Sequence, residues 1–363
     1  MNQSNSLLTY RPTKAAFYGL ERLGLLQIVK RGWHEKSKGG ATTKVTATGR
    51  LVAILEDEGR LRHTPVQVSR NVEVIILHSP KSDGARVIEY DDNDETNQMR
   101  DDLRFINSFI AENGIDLEIT SDELENIQRR LHEKAAKRLL EFSRTSLFRI
   151  FNNGVFSQGG RFYGGWWQEI PHEYRCRITI NGEPTVEADY SGFHPRLLYA
   201  RVGRDCPGDP YSVGLDPRHR EWVKLAFQTL INAPNGRMRK PGGYNPADVG
   251  FDYKELRSRV AQHHEPIAQF FSSGAGIELQ FVESCIAERV MLDLAREGIV
   301  CLPVHDSFLV QQRYQDKLIE TMHSAYEMVV GRALSGDVPE RLIKIKEPDL
   351  VSINKISEEE PIS

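Results

Sequence analysis

The sequence predicts an α+β chain of more than one domain, and three observations carry that reading. Short apolar runs suited to strands, VEVIILHS (72–79), ARVIEY (85–90) and LPVHDSFLV (302–310), are interleaved with long stretches of helical period. The 363 residues are enough for two or three domains. The charge is unevenly laid out: Arg11, Lys14, Arg22, Lys30, Arg31, Lys36, Lys38, Lys44 and Arg50 face only Glu21 and Glu35 over residues 11–50, in a chain of net charge −4. Hydrophobic content of 39% and charged content of 27% place the chain in the soluble globular class. It shows no signal-peptide pattern and no run of membrane-spanning length. Four scattered cysteines without a CxxC pair argue against zinc and against a disulfide framework, so a cytoplasmic location is expected.

The N-terminal segment reads as helix, strand, basic tip and strand. In KAAFYGLERLG (14–24) Phe17, Leu20 and Leu23 fall inward while Lys14, Tyr18 and Arg22 stay exposed. LLQIVKRGW and TTKVTATGRL read as strands around the glycine-bearing HEKSKGG. That order resembles the second half of a winged helix-turn-helix. The resemblance implies that Lys14 and Arg22 face a groove, and that Lys36 and Lys38 ride a wing near phosphates. The alternative is a small α+β domain with a solvated basic face.

VEVIILHS and ARVIEY predict a hairpin around KSDG. The acidic DDNDETNQMRDD follows as a turn and helix start, and the period is helical from about 97 to 148, with Thr120, Ser121 and Asp122 as caps. Residues 347–363 are acidic, polar and aperiodic, and read as a disordered tail.

The informative stretch is LPVHDSFLV. It sets Asp306 and His305 among strand-forming apolar residues, where a carboxylate is costly unless a cation compensates. A second carboxylate in a similar setting is Asp189 of TVEADYSGFHPRLLYA (185–200), at the junction of a short strand and a helix. Two such aspartates on neighbouring strands suit two divalent ions about 3.5–4 Å apart and phosphoryl transfer. Mg²⁺ is the expected ion, with Mn²⁺ as the alternative. Between them RHREWVKLAFQTLINAPNGR (218–237) reads as a helix carrying Arg220 and Lys224 on one face, four residues apart, able to meet a triphosphate together.

Taken together these elements resemble the family-A DNA polymerases and the phage-type single-subunit RNA polymerases of the same superfamily. ADYSGFHPRLL resembles their first catalytic motif, the Arg220–Lys224 pair their nucleotide-binding fingers helix, and LPVHDSFLV their third motif. GGRFYGGWWQEIP (159–171) stands where that family has a Gly-Arg motif and an Ile-Pro segment. All four occur in the family's order, across about 150–310.

The resemblance implies a right-hand polymerase palm of antiparallel sheet, with compact helical fingers, a small thumb and the N-terminal winged helix-turn-helix. It implies metal binding by Asp189, Asp306 and the Tyr190 carbonyl, with Lys224 joining the two aspartates as catalytic. Arg220 and Lys224 would hold the triphosphate, with His194, Gln228 and Asn232 about the nucleotide's sugar. Arg161 and His305 would contact the nucleic acid, as would Gln280 and Ser284 on the helix at 278–298. The implied partners are a DNA template, a primer or product strand, and dNTP or NTP, with no membrane and with replication proteins as candidate collaborators. The implied boundaries are 1–62 (winged-helix-like), 63–148 (hairpin, acidic linker and thumb-like helices), 149–346 (palm and fingers) and 347–363 (tail).

The departures concern the sugar. That family's DNA polymerases usually carry Glu five residues after the first Asp, where this chain has His194. They carry Tyr eight residues after the fingers Lys, where it has Asn232, and an aromatic four residues after it, where it has Gln228. No upstream segment resembles a proofreading exonuclease. The leading expectation is template-directed nucleotidyl transfer in replication, priming or repair, as in a mobile element. A small RNA polymerase or primase is one alternative, and a non-catalytic DNA-binding protein that retains a palm is another. Trp166 and Trp167 are expected in a core or an interface rather than stacked on bases, and His263 and His264 on the surface.

Overall fold

Alternation of apolar and charged residues builds both units of this chain. The computed structural model describes residues 10–30, 33–35, 39–41, 44–57, 72–134, 140–233, 240–331 and 343–346. It divides into two compact units, Met1–Val72 and Glu73–Ser363.

In the first unit, helix α1 (Tyr10–Arg22) leads into β1 (Leu26–Lys30), which pairs antiparallel with β4 (Lys44–Ala47). Between them β2 (Trp33–Glu35) and β3 (Gly39–Ala41) form a hairpin. Thr48 turns the chain into α2 (Gly49–Asp57), donating its hydroxyl to the Gly24 carbonyl at 2.7 Å. The expected order of helix, strand, turn and strand is present. Helix α2 stands where the sequence reads as strand through residue 51; among the described residues of that stretch, Lys44–Ala47 pair with β1.

Among the described residues the second unit holds two sheets. The smaller runs β6-β5-β8-β9, from β5 (Ile75–His78), β6 (Val87–Ile88), β8 (Phe148–Asn152) and β9 (Val155–Tyr163). The hairpin around KSDG is there, as β5 with β6, and β5 also pairs in parallel with β8. Such a parallel pair needs a crossover, supplied here by α3 (Asp94–Ala111) and α4 (Ser121–Lys134). The acidic run caps α3: Asn93 accepts from the Thr96 amide while Thr96 Oγ1 accepts from the Asn93 amide. Thr120 and Glu123 do the same for α4. The helical period read across 97–148 is broken by β7 (Ile115–Leu117), which joins the other sheet against β10.

That larger sheet is entirely antiparallel, in the order β12-β13-β11-β10-β7, with β14 also on β11. Its strands are β10 (Ile178–Ile180), β11 (Glu183–Tyr190), β12 (Leu302–Val304), β13 (Ser307–Gln311) and β14 (Ile343–Lys346). Helix α5 (Phe193–Arg201) leaves β11, followed by α6 (Arg220–Asn232), α7 (Tyr253–His263), α8 (Gly276–Arg296) and α9 (Gln315–Val330). On α8, Ile286, Val290 and Leu294 are buried and the helix packs on β9, α3 and α9. No helix among the described residues is long and apolar enough to cross a membrane.

The tryptophan pair belongs to the core, fully buried, and Trp167 Nε1 donates to the Pro303 carbonyl at 3.0 Å. His264 corrects the surface reading. His263 is exposed, but His264 is wholly buried, its Nε2 2.8 Å from the Pro210 carbonyl and its Nδ1 3.2 Å from Tyr199 Oη. Burial holds its imidazole down to about 4. The folded state therefore binds this proton less readily than the unfolded chain, whose His titrates near 6.5. Its contribution is complete above that value and drains away as pH falls to about 4, roughly 3 kcal/mol in all. Urea titrations between pH 7.5 and 4 should show this loss, and a His264→Phe chain should lack that part of the pH slope.

Candidate active site

Period-two alternation along β11 decides which side chains reach the site. Val186, Ala188 and Tyr190 point into the core, where Tyr190 Oη donates to the Met322 carbonyl at 2.6 Å. Glu187 and Asp189 share the opposite face. Asp189 lies directly across from Ser307, the first residue of β13. The two-residue turn before it is His305–Asp306, joined back to β11 by the Tyr190 amide on the Asp306 carbonyl at 3.5 Å. His305 takes φ +60°, the left-handed value such a tight turn requires at its first position and an uncommon one for histidine. Two aspartates 117 positions apart (306 − 189) thus stand at adjoining ends of paired strands.

Their electrostatics are those of an anion-rich corner. Asp189 Oδ1 is buried without a hydrogen-bond partner among the described residues, and its Oδ2 lies 3.7 Å from Lys346 Nζ. The Asp306 carboxyl is pushed above the usual range by burial, then by the charges of Glu283 and Asp189. Asp189 and Asp306 are the residues that could hold a cation here. Among the described residues no group of three or more His, Cys, Asp or Glu is assembled as a metal site. An ion held by this pair would therefore take its other ligands from water, substrate phosphate and backbone, the habit of Mg²⁺.

Behind the pair lies a cluster that sequence reasoning missed. Glu283, on α8 and 2% exposed, accepts both arms of Arg161, at 2.8 and 2.7 Å, and sits 3.0 Å from His194 Nε2. Burial pushes this carboxyl up, but hydrogen bonds from His194 and Arg161 outweigh it and hold Glu283 below the usual carboxylate range. Arg161 and His194 are thereby brought to one carboxylate, and the Arg161 fork expected on nucleic acid is engaged with protein. Only the buried position of a glutamate within the α8 apolar stripe could have signalled this.

Gly159 and Gly160 also serve the interior. Both have left-handed φ, +80° and +78°, at an irregularity of the β8–β9 ladder. A Cβ on Gly160 would meet Ser284 Oγ at 2.8 Å and Phe151 at 2.7 Å. Their close approach is to α8 and β8. Ser284, expected toward a duplex, is buried and accepts from Arg149 Nη2 at 3.1 Å, while Gln280 is half-buried.

The fingers-like pair sits on α6. Arg220 clasps Asp209 through Nε and Nη2, at 2.7 and 3.0 Å, and lies over the Tyr211 ring. Burial raises the Tyr211 phenol, and Asp306 is among the charges acting on it. Lys224 is half-buried with no ion pair among the described residues. Gln228 and Asn232 are exposed, and the Asn232 side chain covers Gly276 so closely that a Cβ there would lie 1.9 Å from Oδ1. His305 is exposed, its ring edge-on to Tyr163 at 6.5 Å.

In the first unit Arg22 is exposed at the end of α1 and Lys14 lies within the same helix. Lys36, Lys38 and residues 347–363 lie outside the described residues.

No protein-family model matches this chain, and no curated protein matches it. Among solved structures, the POL domain of Pol1 from M. smegmatis, in complex with DNA primer-template and dNTP, is 14% identical to it with a TM-score of 0.34. The match covers 69% of this chain and 63% of that one, so the chain spans less than two thirds of that domain. It is a slight likeness.

Proposed function

We propose that this chain is a template-directed nucleotidyltransferase of the polymerase type, extending a 3′-hydroxyl with dNTP or NTP. The observation that carries the reading is the meeting of Asp189 and Asp306 at adjoining strand ends, one oxygen buried without a hydrogen-bond partner among the described residues and the other carboxyl raised by burial and by its neighbours. Two carboxylates brought to one corner in this way fit divalent ions. When bound, two such ions would supply Lewis-acid activation of the attacking hydroxyl and neutralise charge on the leaving pyrophosphate.

The chain's own residues divide the remaining work. Asp189, Asp306 and the Tyr190 carbonyl would hold the cations, and the β12–β13 turn places Asp306 beside the end of β11. Lys224, which makes no ion pair among the described residues, meets the triphosphate first, and Arg220 joins it on release from Asp209. Glu283 fixes the His194 ring on the wall beside the pair, in the sugar pocket. His305 lies at the product end, and exposed Arg22 supports nucleic-acid contact by the basic N-terminal unit.

Asp209 is then an internal stand-in for phosphate, and Asp209→Asn should lower KM for the nucleoside triphosphate severalfold with little change in kcat. Steady-state incorporation against nucleotide concentration checks this. The function itself is tested by incubating the full chain with Mg²⁺ or Mn²⁺, a DNA template with or without a labelled primer, and dNTPs or NTPs separately. Labelled product from one nucleotide set supports the reading and identifies the sugar and the primer requirement. DNA binding without product in any lane favours the non-catalytic alternative.

A further inference from the structure

We propose that Lys346 is a resident counter-cation of Asp189 and sets how tightly a divalent ion is held there; this rests on the carboxylate-pair reading above. Strand β14 alternates Ile343, Lys344, Ile345 and Lys346, so burial of Ile343 in the core turns both lysines toward the carboxylate face of β11. The register sets Lys344 across from Asp189 and Lys346 across from Glu187. Lys346 Nζ lies 2.6 Å from Glu187 Oε1, 3.2 Å from Ser307 Oγ and 3.7 Å from Asp189 Oδ2.

Glu187 does not need this charge for itself. It is 7% exposed, but Arg175 Nη1 is 3.3 Å away and Ser307 Oγ donates to it at 2.7 Å. Two cations thus serve one buried glutamate, and the surplus charge falls on Asp189. An arriving ion must enter against a fixed ammonium on the neighbouring strand. A unit charge about 5 Å from a divalent ion weakens its binding by roughly tenfold or more even at the dielectric of water. The arrangement keeps the corner from standing as bare negative charge, and it makes ion occupancy depend on the C-terminal strand.

The test is Mn²⁺ uptake by the full chain without nucleotide, followed by the paramagnetic resonance of free Mn²⁺. Lys346→Gln should bind Mn²⁺ about tenfold more tightly, Lys346→Arg should bind as the parent does, and Asp189→Asn should bind least. Affinity in Lys346→Gln equal to or weaker than the parent's, at an unchanged Tm, overturns the role of Lys346. Should that variant melt early, ¹³C-methylated lysine spectra of the parent decide. The Lys346 resonance, identified by its loss in Lys346→Arg, should move on adding Mg²⁺ and stay fixed in Asp189→Asn; a resonance that stays fixed in the parent overturns the role. Uptake that requires Asp189 and Asp306 but ignores residue 346 defeats this inference alone. Uptake indifferent to both aspartates defeats the carboxylate-pair reading with it.

Discussion

Arg149→Ala should lower the stability of the larger unit by about 3–5 kcal/mol, read as a drop in the denaturation midpoint. Arg149 is wholly buried on β8. Its guanidinium donates to the Gly160 carbonyl at 2.9 Å, to Ser284 Oγ at 3.1 Å and to Glu288 at 2.8 Å. Its flat faces lie 4.9 Å from the Phe151 and Phe162 ring centres. Truncation leaves three acceptors without a donor, and one is the Glu288 carboxyl, already raised by burial. Lysine cannot rescue the site, because a single ammonium does not span a three-way fork. Arg149→Met combined with Glu288→Met should recover most of the loss by removing both charges together. The single variant's deficit should shrink as pH falls through the carboxylate range, since Glu288 can then be buried neutral. A deficit below about 1 kcal/mol would show that Arg149 is not what ties β8 to α8.

Asp306→Asn should abolish nucleotide incorporation, by about three orders of magnitude or more, while raising the melting temperature by about 2 °C. The two effects share a cause. Burial and the nearby Glu283 and Asp189 charges raise the Asp306 carboxyl, so the ionised group is strained in the absence of a cation. A raised folded pKa means that its favourable contribution is full below the unfolded value and is lost as pH rises through the folded one. The gain in Tm should therefore be larger at pH 8 than at pH 5, and Mg²⁺ should narrow it. A variant that loses activity and also loses stability would make Asp306 a structural turn residue instead.

The sequence was most legible where a short stretch sets its own geometry. LPVHDSFLV folds back through His305–Asp306, and the TVEADY strand pairs with it, because alternation and a two-residue turn leave few registers open. The cap at Thr120 follows from local chemistry in the same way. What escaped was everything set by distant partners. Three residues, Ile115–Leu117, become strand only because β10 offers an edge, and nothing within them announces it. Arg161, Gly160 and Ser284 are plausible at a nucleic-acid surface by residue type, yet α8 claims all three through Glu283, Arg149 and close packing. His264 looked polar and exposed beside His263, but one step along the chain at the end of α7 carries it from solvent to core. Lys346 lies at the border of a polar tail, and its place beside Asp189 comes from a strand pairing that sets it across from Glu187, 159 residues earlier in the chain.

The central claim is that the Asp189–Asp306 corner adds nucleotides under instruction from a template. Its most direct test is single-nucleotide addition to a primer annealed to four DNA templates that differ only in the first unpaired base. The account predicts that each template selects its complementary nucleotide, and that addition is lost in Asp189→Asn and Asp306→Asn while the primer-template is still bound. Addition that ignores the templating base, or that survives both substitutions, would contradict it.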